Sequence, residues 1–463
     1  MPRFPAFNAE TAVVRRLVAV EFLSGTLQGA FPVLLPGLAD TLHFSAGDQA
    51  LVLGVGYLVS GITVPLASRL GDLFGHRRLL LATLAITFLG YLLSAAAPGL
   101  ALLLVGQALA GLLTCWLPLE LALLRDQLGD ARGGRAVGPL VGSLMLGTIF
   151  GDALRPGLWI LAALPAVALL VVWRWVPESV TRAVGRVDWR GVALLTLGLG
   201  LMFGAFSSVG HAVPAAAVIA LLLVSAVLLA LFVREELRTD SPTVDVRVLA
   251  RRATAPVFGL SFLLGCILYG AQSPTLSFEA ADPKSVGYGL NADSQVLGLL
   301  SLPAVLGATL GAILADRMAR RVGARALLAA GYGMATLGFT VIAFSHGNAV
   351  SFIIPSSVCG FGAGIGLSLL PGLLMHRLPA DQTATGAGVY NTLKTLAGAA
   401  TGAVGAALLD SLLLRPGVAS EGAYVTIWIG CAVLCAVGVP TALALRNHAP
   451  SADPAPAAAP ALA

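Results

Sequence analysis

Fourteen continuous apolar runs, most of them about 20 residues long, leave this chain few ways to fold. They fall at approximately 16–38, 49–67, 79–97, 100–124, 134–151, 157–176, 190–210, 213–233, 254–275, 294–315, 326–345, 349–372, 382–409 and 422–444. A helix of that length crosses the hydrocarbon core of a bilayer, whereas a transmembrane barrel needs alternating segments of about ten residues. Only 11% of the 463 residues are Asp, Glu, Lys or Arg, against about 25% in soluble domains. Many of the 54 glycines and 26 prolines lie inside the runs, a habit of membrane helices. The expected fold is an all-α polytopic membrane protein with 14 transmembrane helices. Its fifth span is short and glycine-rich, and its seventh and eighth form a tight hairpin around Gly210–Pro214.

Counting arginines and lysines orients the chain. With the N-terminus inside, 24 of the 28 fall on cytoplasmic segments, and only Arg155, Lys284 and Arg415 lie outside. The last, Lys394, is within a span. So strong a positive-inside bias requires an even span count and puts both termini in the cytoplasm of a cell whose inner (plasma) membrane holds the protein. The first run, with Glu21, Gln28 and two prolines, reads as a full span rather than a cleaved signal. The net charge of +5 is spread over short loops, so no nucleic-acid partner is expected. Cys115, Cys266, Cys359, Cys431 and Cys435 lie in apolar runs without metal-ligand spacing and read as small buried hydrophobes. No GxSxG, HExxH or P-loop motif occurs, so neither an enzyme nor a cofactor, a metal or direct use of ATP is expected.

The longest charged connections, Pro177–Arg190 and Arg234–Arg252, cut the spans into six, two and six. The expected plan is a cytoplasmic tail over 1–15, a six-helix bundle over 16–178 and a linker with an extra helix pair over 179–253. A second six-helix bundle over 254–445 and a disordered Ala/Pro-rich cytoplasmic tail over 446–463 complete it. A charged knot between the second and third spans, Val64–Leu80, holds Arg69, Asp72, His76, Arg77 and Arg78. Gly311–Arg325 echoes it in the second bundle, with Asp316 in place of Asp72, followed by Arg317 and further arginines. Repeated halves are a common plan in secondary transporters.

These features together resemble the major facilitator superfamily, and within it the 14-span drug:proton antiporter branch. The family pattern between spans two and three is Gly-x-x-x-Asp-Arg-x-Gly-Arg-Arg/Lys. Here Asp72, Gly75 and Arg77 match it, while Ser68, Leu73 and His76 depart from it. The fifth-span pattern Gly-x-x-x-Gly-Pro-x-x-Gly-Gly is met by Gly134, Gly138, Pro139 and Gly142. Pro177-Glu178-Ser179 after span six, Asp188-Trp189-Arg190-Gly191 and the small residues from Gly386 to Gly405 add to the likeness. Two departures stand out: Gln107 occupies the position of an intramembrane arginine, and the first span lacks the usual Asp-x-Thr run. The resemblance implies alternating access by a monomer embedded in lipid. Asp72, Gly75 and Arg77, with Asp316 and Arg317 as their echo, would form a cytoplasmic gate. Gly138, Pro139 and Gly142 would let helices bend and approach closely.

Ionisable groups inside spans are costly and mark function. Glu21 and Glu120 are the candidate proton carriers, because a carboxyl group sealed from water can take up and release a proton. Glu21 and Gln28 share a helical face, and so do Tyr390, Asn391, Lys394 and Thr395. With Gln107, Tyr269 and Gln272 these residues are the expected lining of a substrate cavity, with Lys394 deepest. The expected function is proton-driven export of small amphipathic or cationic compounds such as drugs, dyes or antibiotics. The alternative is a proton-coupled symporter or facilitator of a small metabolite, anions included, which Gln107 and Lys394 favour.

Overall fold

The computed structural model describes residues 5–128, 140–149, 157–179, 187–209, 213–239, 246–251, 254–375, 377 and 383–445. Gly138 and Pro139 lie outside these residues. The first half comprises α1 (Pro5–Leu42), α2 (Ala46–Phe74), α3 (His76–Ala95), α4 (Leu100–Ala110), α5 (Trp116–Leu128), α6 (Leu140–Ile149) and α7 (Leu158–Trp175). A 3₁₀ turn, Gly111–Cys115, joins α4 to α5 into one crossing. A hairpin of α8 (Trp189–Ser207) and α9 (Ala215–Glu236) and a short α10 (Val246–Ala250) follow. The second half comprises α11 (Ala255–Gly265), α12 (Gln272–Ala280), α13 (Pro283–Val286), α14 (Ser294–Val322), α15 (Ala324–Phe344), α16 (Val350–Met375), α17 (Thr383–Ser411) and α18 (Glu421–Leu443). Among the described residues, thirteen helical segments are long and apolar enough to cross a membrane, and α6 is a shorter apolar helix. Among the described residues one two-stranded ribbon, Leu413–Arg415 with Val418–Ala419, interrupts an otherwise helical arrangement.

The first helix differs from expectation. The tail foreseen over 1–15 is helical from Pro5, and the apolar crossing begins at Ala12. Pro32 and Pro36 sit inside α1, tolerated because neighbouring helices compensate the freed backbone groups. Each half has its own core. Leu17, Leu84, Trp116 and Leu123 are among the buried residues of the first, and Leu260, Phe278, Phe352 and Trp428 among those of the second. The α8–α9 hairpin leans on α2 and α17 through Leu195, Leu199 and Phe203, leaving Ile219, Leu223 and Val227 of α9 exposed. Trp173, Trp175 and Trp189 are exposed at the arginine-rich end, where indole rings suit the headgroup level.

The two halves repeat at residue level. Ser45 and Asp293 are the N-caps of α2 and α14, with the same backbone angles (φ −74°, ψ 169°). Each helix then runs for 29 residues and stops at a glycine with positive φ, Gly75 at +106° and Gly323 at +84°. A side chain is strained in that region, so glycine lets one helix end and the next begin at once. Two residues later the role repeats as well. Arg77 donates to the Trp173 carbonyl near the end of α7, and Arg325 to the Leu443 carbonyl at the end of α18. Arginine at a helix C-terminus satisfies free carbonyls and complements the dipole. In this register Asp72 corresponds to Arg320, and Asp316 to Ser68. The echo of Asp72 in Asp316 is therefore displaced by four residues, one helical turn.

Candidate transport cavity and its gates

A cavity of about 370 Å³ lies between the halves. Gln28, Gln107, Tyr269, Gln272 and Lys394 line it, whereas Tyr390 and Asn391 do not. Tyr57 of α2 and Tyr269 stack across the boundary between the halves, with centroids 4.4 Å apart and planes tilted by 34°. Tyr57 also donates a 2.9 Å hydrogen bond to Gln272 Oε1. Tyr269 belongs to a π-helical turn, Cys266–Gly270, between α11 and α12, a local widening of the helix that often serves a site. Gly398 of α17 leaves room for the stack, since a Cβ there would sit 3.0 Å from both rings. The amides are anchored within the first half: Gln28 Nε2 donates to Ser24 Oγ at 3.1 Å and Gln107 Nε2 to Ser94 Oγ at 3.0 Å. Lys394 Nζ lies 5.5 Å from the Tyr390 ring centroid, a cation–π distance.

The polar stripe expected on α1 divides. Gln28 faces the cavity, while Glu21 is buried away from the lining and lies close enough to Glu120 of α5 for the two charges to interact. Glu120 is fully buried, and among the described residues neither of its carboxyl oxygens has a hydrogen-bond partner; Glu21 Oε2 also has none there. A third acid, Glu279, lines the cavity although only 3% of its surface is exposed. The sequence placed it beyond the ninth span, because polar residues from Gln272 to Ser277 dilute the apolar run. The helix in fact continues to Ala280, since those polar side chains have an inner face to occupy. The available signal was the lack of any helix breaker between Pro274 and Asp282-Pro283.

One end of the cavity is shut. Val33 of α1 packs with Leu276, Leu297 and Leu300 of the other half, and Gly37 abuts Ser294. At the same end Ser45 Oγ donates to Asp410 Oδ1 at 3.0 Å. Asp410, which reads from the sequence as a solvated boundary residue, thus ties α17 to the start of α2.

Residues 17–402 match the profile described as Major Facilitator Superfamily. The chain belongs to that superfamily. It is a transport protein rather than an enzyme, a multi-pass protein of the plasma membrane that moves small molecules by secondary active transport. It is 28% identical over 389 residues to the multidrug resistance protein B homolog of Mycobacterium tuberculosis, covering 77% of this chain and 68% of that one. Identity to the multidrug efflux pump LfrA of Mycolicibacterium smegmatis is 27% over 382 residues, covering 77% and 72%. The crystal structure of nucleoside transporter NupG superposes with a TM-score of 0.65 at 14% identity, covering 94% of this chain and 98% of that one, a likeness of fold.

The residues expected to form a gate in this major facilitator protein lie at the opposite, arginine-rich end. Asp72, 47% exposed, pairs with His76 Nε2 at 3.1 Å within its own half. Its partner, the first residue of α3, occupies the position of a family arginine. Asp316 and Arg317 are exposed on the last turns of α14. What holds the α2–α3 junction is Glu178. Its Oε1 accepts from the backbone N–H of Arg77 and of Ser179, each at 3.0 Å, and Ser179 Oγ accepts from His76 N–H at 3.1 Å. A Cβ on Gly75 would sit 2.8 Å from Glu178 Oε1, a second reason for glycine there. The Arg78–Glu178 pair, 3.5 Å long with Arg78 largely exposed, adds little. Glu178→Ala should therefore cost about 1–2 kcal/mol through the lost cap, read as a lower melting temperature with substrate affinity unchanged. Glu178→Gln, which keeps an acceptor oxygen, should restore most of it.

Of the residues expected to let helices approach in the fifth span, Gly142 is exposed, with no described residue within 4 Å of where a Cβ would go. The close approach falls at Gly147, where a Cβ would overlap the Phe22 carbonyl of α1.

Proposed function

We propose that this protein exports small amphipathic or cationic compounds in exchange for protons, working as a monomer by alternating access. The observation that carries the reading is the cavity between two repeated halves, shut at the Ser45–Asp410 end. Charge counting makes that end the outside, with six, two and six spans and both termini in the cytoplasm. The conformation is then the inward-facing one, and the pairing of Asp72 with His76 inside its own half accords with a released cytoplasmic gate. The names of the two mycobacterial relatives support efflux of drug-like compounds. Glu21 and Glu120 would carry the proton, apart from the cavity that carries the substrate.

The test uses purified protein in liposomes loaded with a fluorescent cationic dye. A pH gradient should drive dye movement, and a protonophore should abolish it. Dye movement indifferent to the protonophore would remove proton exchange from the reading. Lys394 in the cavity favours the second reading, symport or facilitated passage of an anionic metabolite. That reading requires substrate and protons to move in the same direction, or substrate to move without a gradient.

A further inference from the structure

The cavity holds two ionisable groups of opposite type, a carboxyl and an amine, that no ion pair within the protein joins among the described residues. Glu279 lines its shut end, 97% buried by the exposure given above, and no hydrogen bond or ion pair to its carboxylate is found among the described residues. Lys394 lines it from α17, with the Tyr390 ring as its near neighbour and no carboxylate within ion-pair distance among the described residues. The two cannot reach each other. The Lys394 backbone touches α11 at Gly265, fourteen residues before Glu279, which is roughly 20 Å along a helix axis. Between them lie the Tyr57–Tyr269 stack and the Gln272 amide.

An ionised group taken out of water is costly unless a partner arrives, so a cation brought to Glu279 and an anion brought to Lys394 would each hold its group in the charged form. A simple monocation would satisfy Glu279 but leave an ammonium facing it across the cavity. Resting on the export reading, we propose that the preferred substrate is an elongated aromatic zwitterion, its cationic group at Glu279, its anionic group at Lys394 and its ring system against Tyr57 and Tyr269. Glu279 and Lys394 are then the specificity-determining pair. The tyrosine stack discriminates in favour of flat aromatic bodies, as faces of aromatic rings pack best offset on one another.

Three dyes with related xanthene cores separate the charges: rhodamine B, which carries both; its ethyl ester, which keeps only the cation; and fluorescein, which is anionic. Their binding to the full-length protein in nanodiscs is titrated by fluorescence anisotropy and corrected for empty nanodiscs. Rhodamine B should bind at least about tenfold more tightly than either single-charge dye, the scale of losing one partner of a buried charge pair. Glu279→Gln should lower affinity for rhodamine B and the ester but spare fluorescein. Lys394→Met should lower affinity for rhodamine B and fluorescein but spare the ester. An ester that binds wild-type protein as well as rhodamine B does would overturn the proposal, and that comparison needs no variant to fold. Liposome efflux of the same dyes separates the two readings. Binding in the expected order without proton-driven movement overturns export alone, and proton-driven movement that favours the ester overturns the zwitterion alone.

Discussion

Glu120→Gln should abolish uphill transport while leaving downhill exchange of substrate intact. We expect proton-driven efflux to fall by at least about a hundredfold, the scale on which loss of a positioned proton-transfer group is felt. Glutamine keeps the shape of the side chain but cannot take up and release a proton. Glu120 follows the 3₁₀ turn that redirects α4 into α5, and its neighbours Trp116, Leu119 and Leu123 are fully buried apolar residues. Glu21 lies close enough for its charge to act on it. Two carboxylates so placed are not independent, so Glu21→Gln should resemble Glu120→Gln, and the double variant should be little worse than either. The decisive measurement sets efflux under a pH gradient beside substrate counterflow in the same liposomes. A Glu120→Gln protein that still concentrates dye against its gradient would remove Glu120 from the proton path. Stability should move the other way. Glu120→Leu replaces a buried carboxyl whose oxygens lack partners among the described residues with a side chain that suits its surroundings, and should raise the melting temperature of a protein that no longer pumps.

Asp410→Ala should loosen the shut end. Ser45 uses its hydroxyl twice: it accepts from Asp48 N–H at 3.0 Å, capping α2, and donates to Asp410 at 3.0 Å. The Asp410 carboxylate lies so close to Gly47 that a Cβ there would overlap it, which places negative charge at the positive end of the α2 dipole. A hydrogen bond to a charged group is worth about 2 kcal/mol, which would shift the ratio of closed to open conformers by roughly thirtyfold. The measurement is the labelling rate of a cysteine introduced at Val33, buried in the seam, by a membrane-impermeant thiol reagent. The five native cysteines are buried, so the background is low. Ser45→Ala should accelerate labelling by a similar factor, with the double variant less than additive. Equal labelling in all four proteins would deny Asp410 a role in closure.

Most helices were legible because hydropathy measures the quantity the bilayer selects. Runs such as 294–315 and 422–444 differ from α14 and α18 mainly at their ends. The ends escape that measure because polar residues continue a helix wherever another helix, a cavity or a headgroup receives them. Arg317 to Arg321 extend α14 beyond its run in this way, and α12 carries the ninth run on past 275 to Ala280. The charged loops showed that the halves repeat, yet counting from acid to acid misplaced the register. The element the fold conserves between its halves is the left-handed glycine, Gly75 or Gly323, from which the helix ends are measured. Candidate cavity residues could be named where a polar side chain interrupted an apolar run, as at Gln107 and Lys394. Glu279 and Asp410 sit at the margins of runs, where a side chain bound to another helix and one bound to water look alike in sequence.

The seam between α14 and α16 carries a mechanical consequence. Gly307 and Gly311 of α14 and Gly360 and Gly364 of α16 each face a carbonyl of the opposite helix, so closely that a Cβ would overlap it. Backbones in such contact do not slide past one another, and the two helices must tilt as a single beam. At 29 residues α14 is about 43 Å long, so a tilt of roughly ten degrees pivoting at Ser294 would swing its far end by about 7 Å. A shift of about 1 Å where Leu297 and Leu300 meet Val33 is thereby geared up into a movement several times larger at the arginine-rich mouth, comparable with the width of a small solute. The glycines, which contact no solute, set the gear ratio.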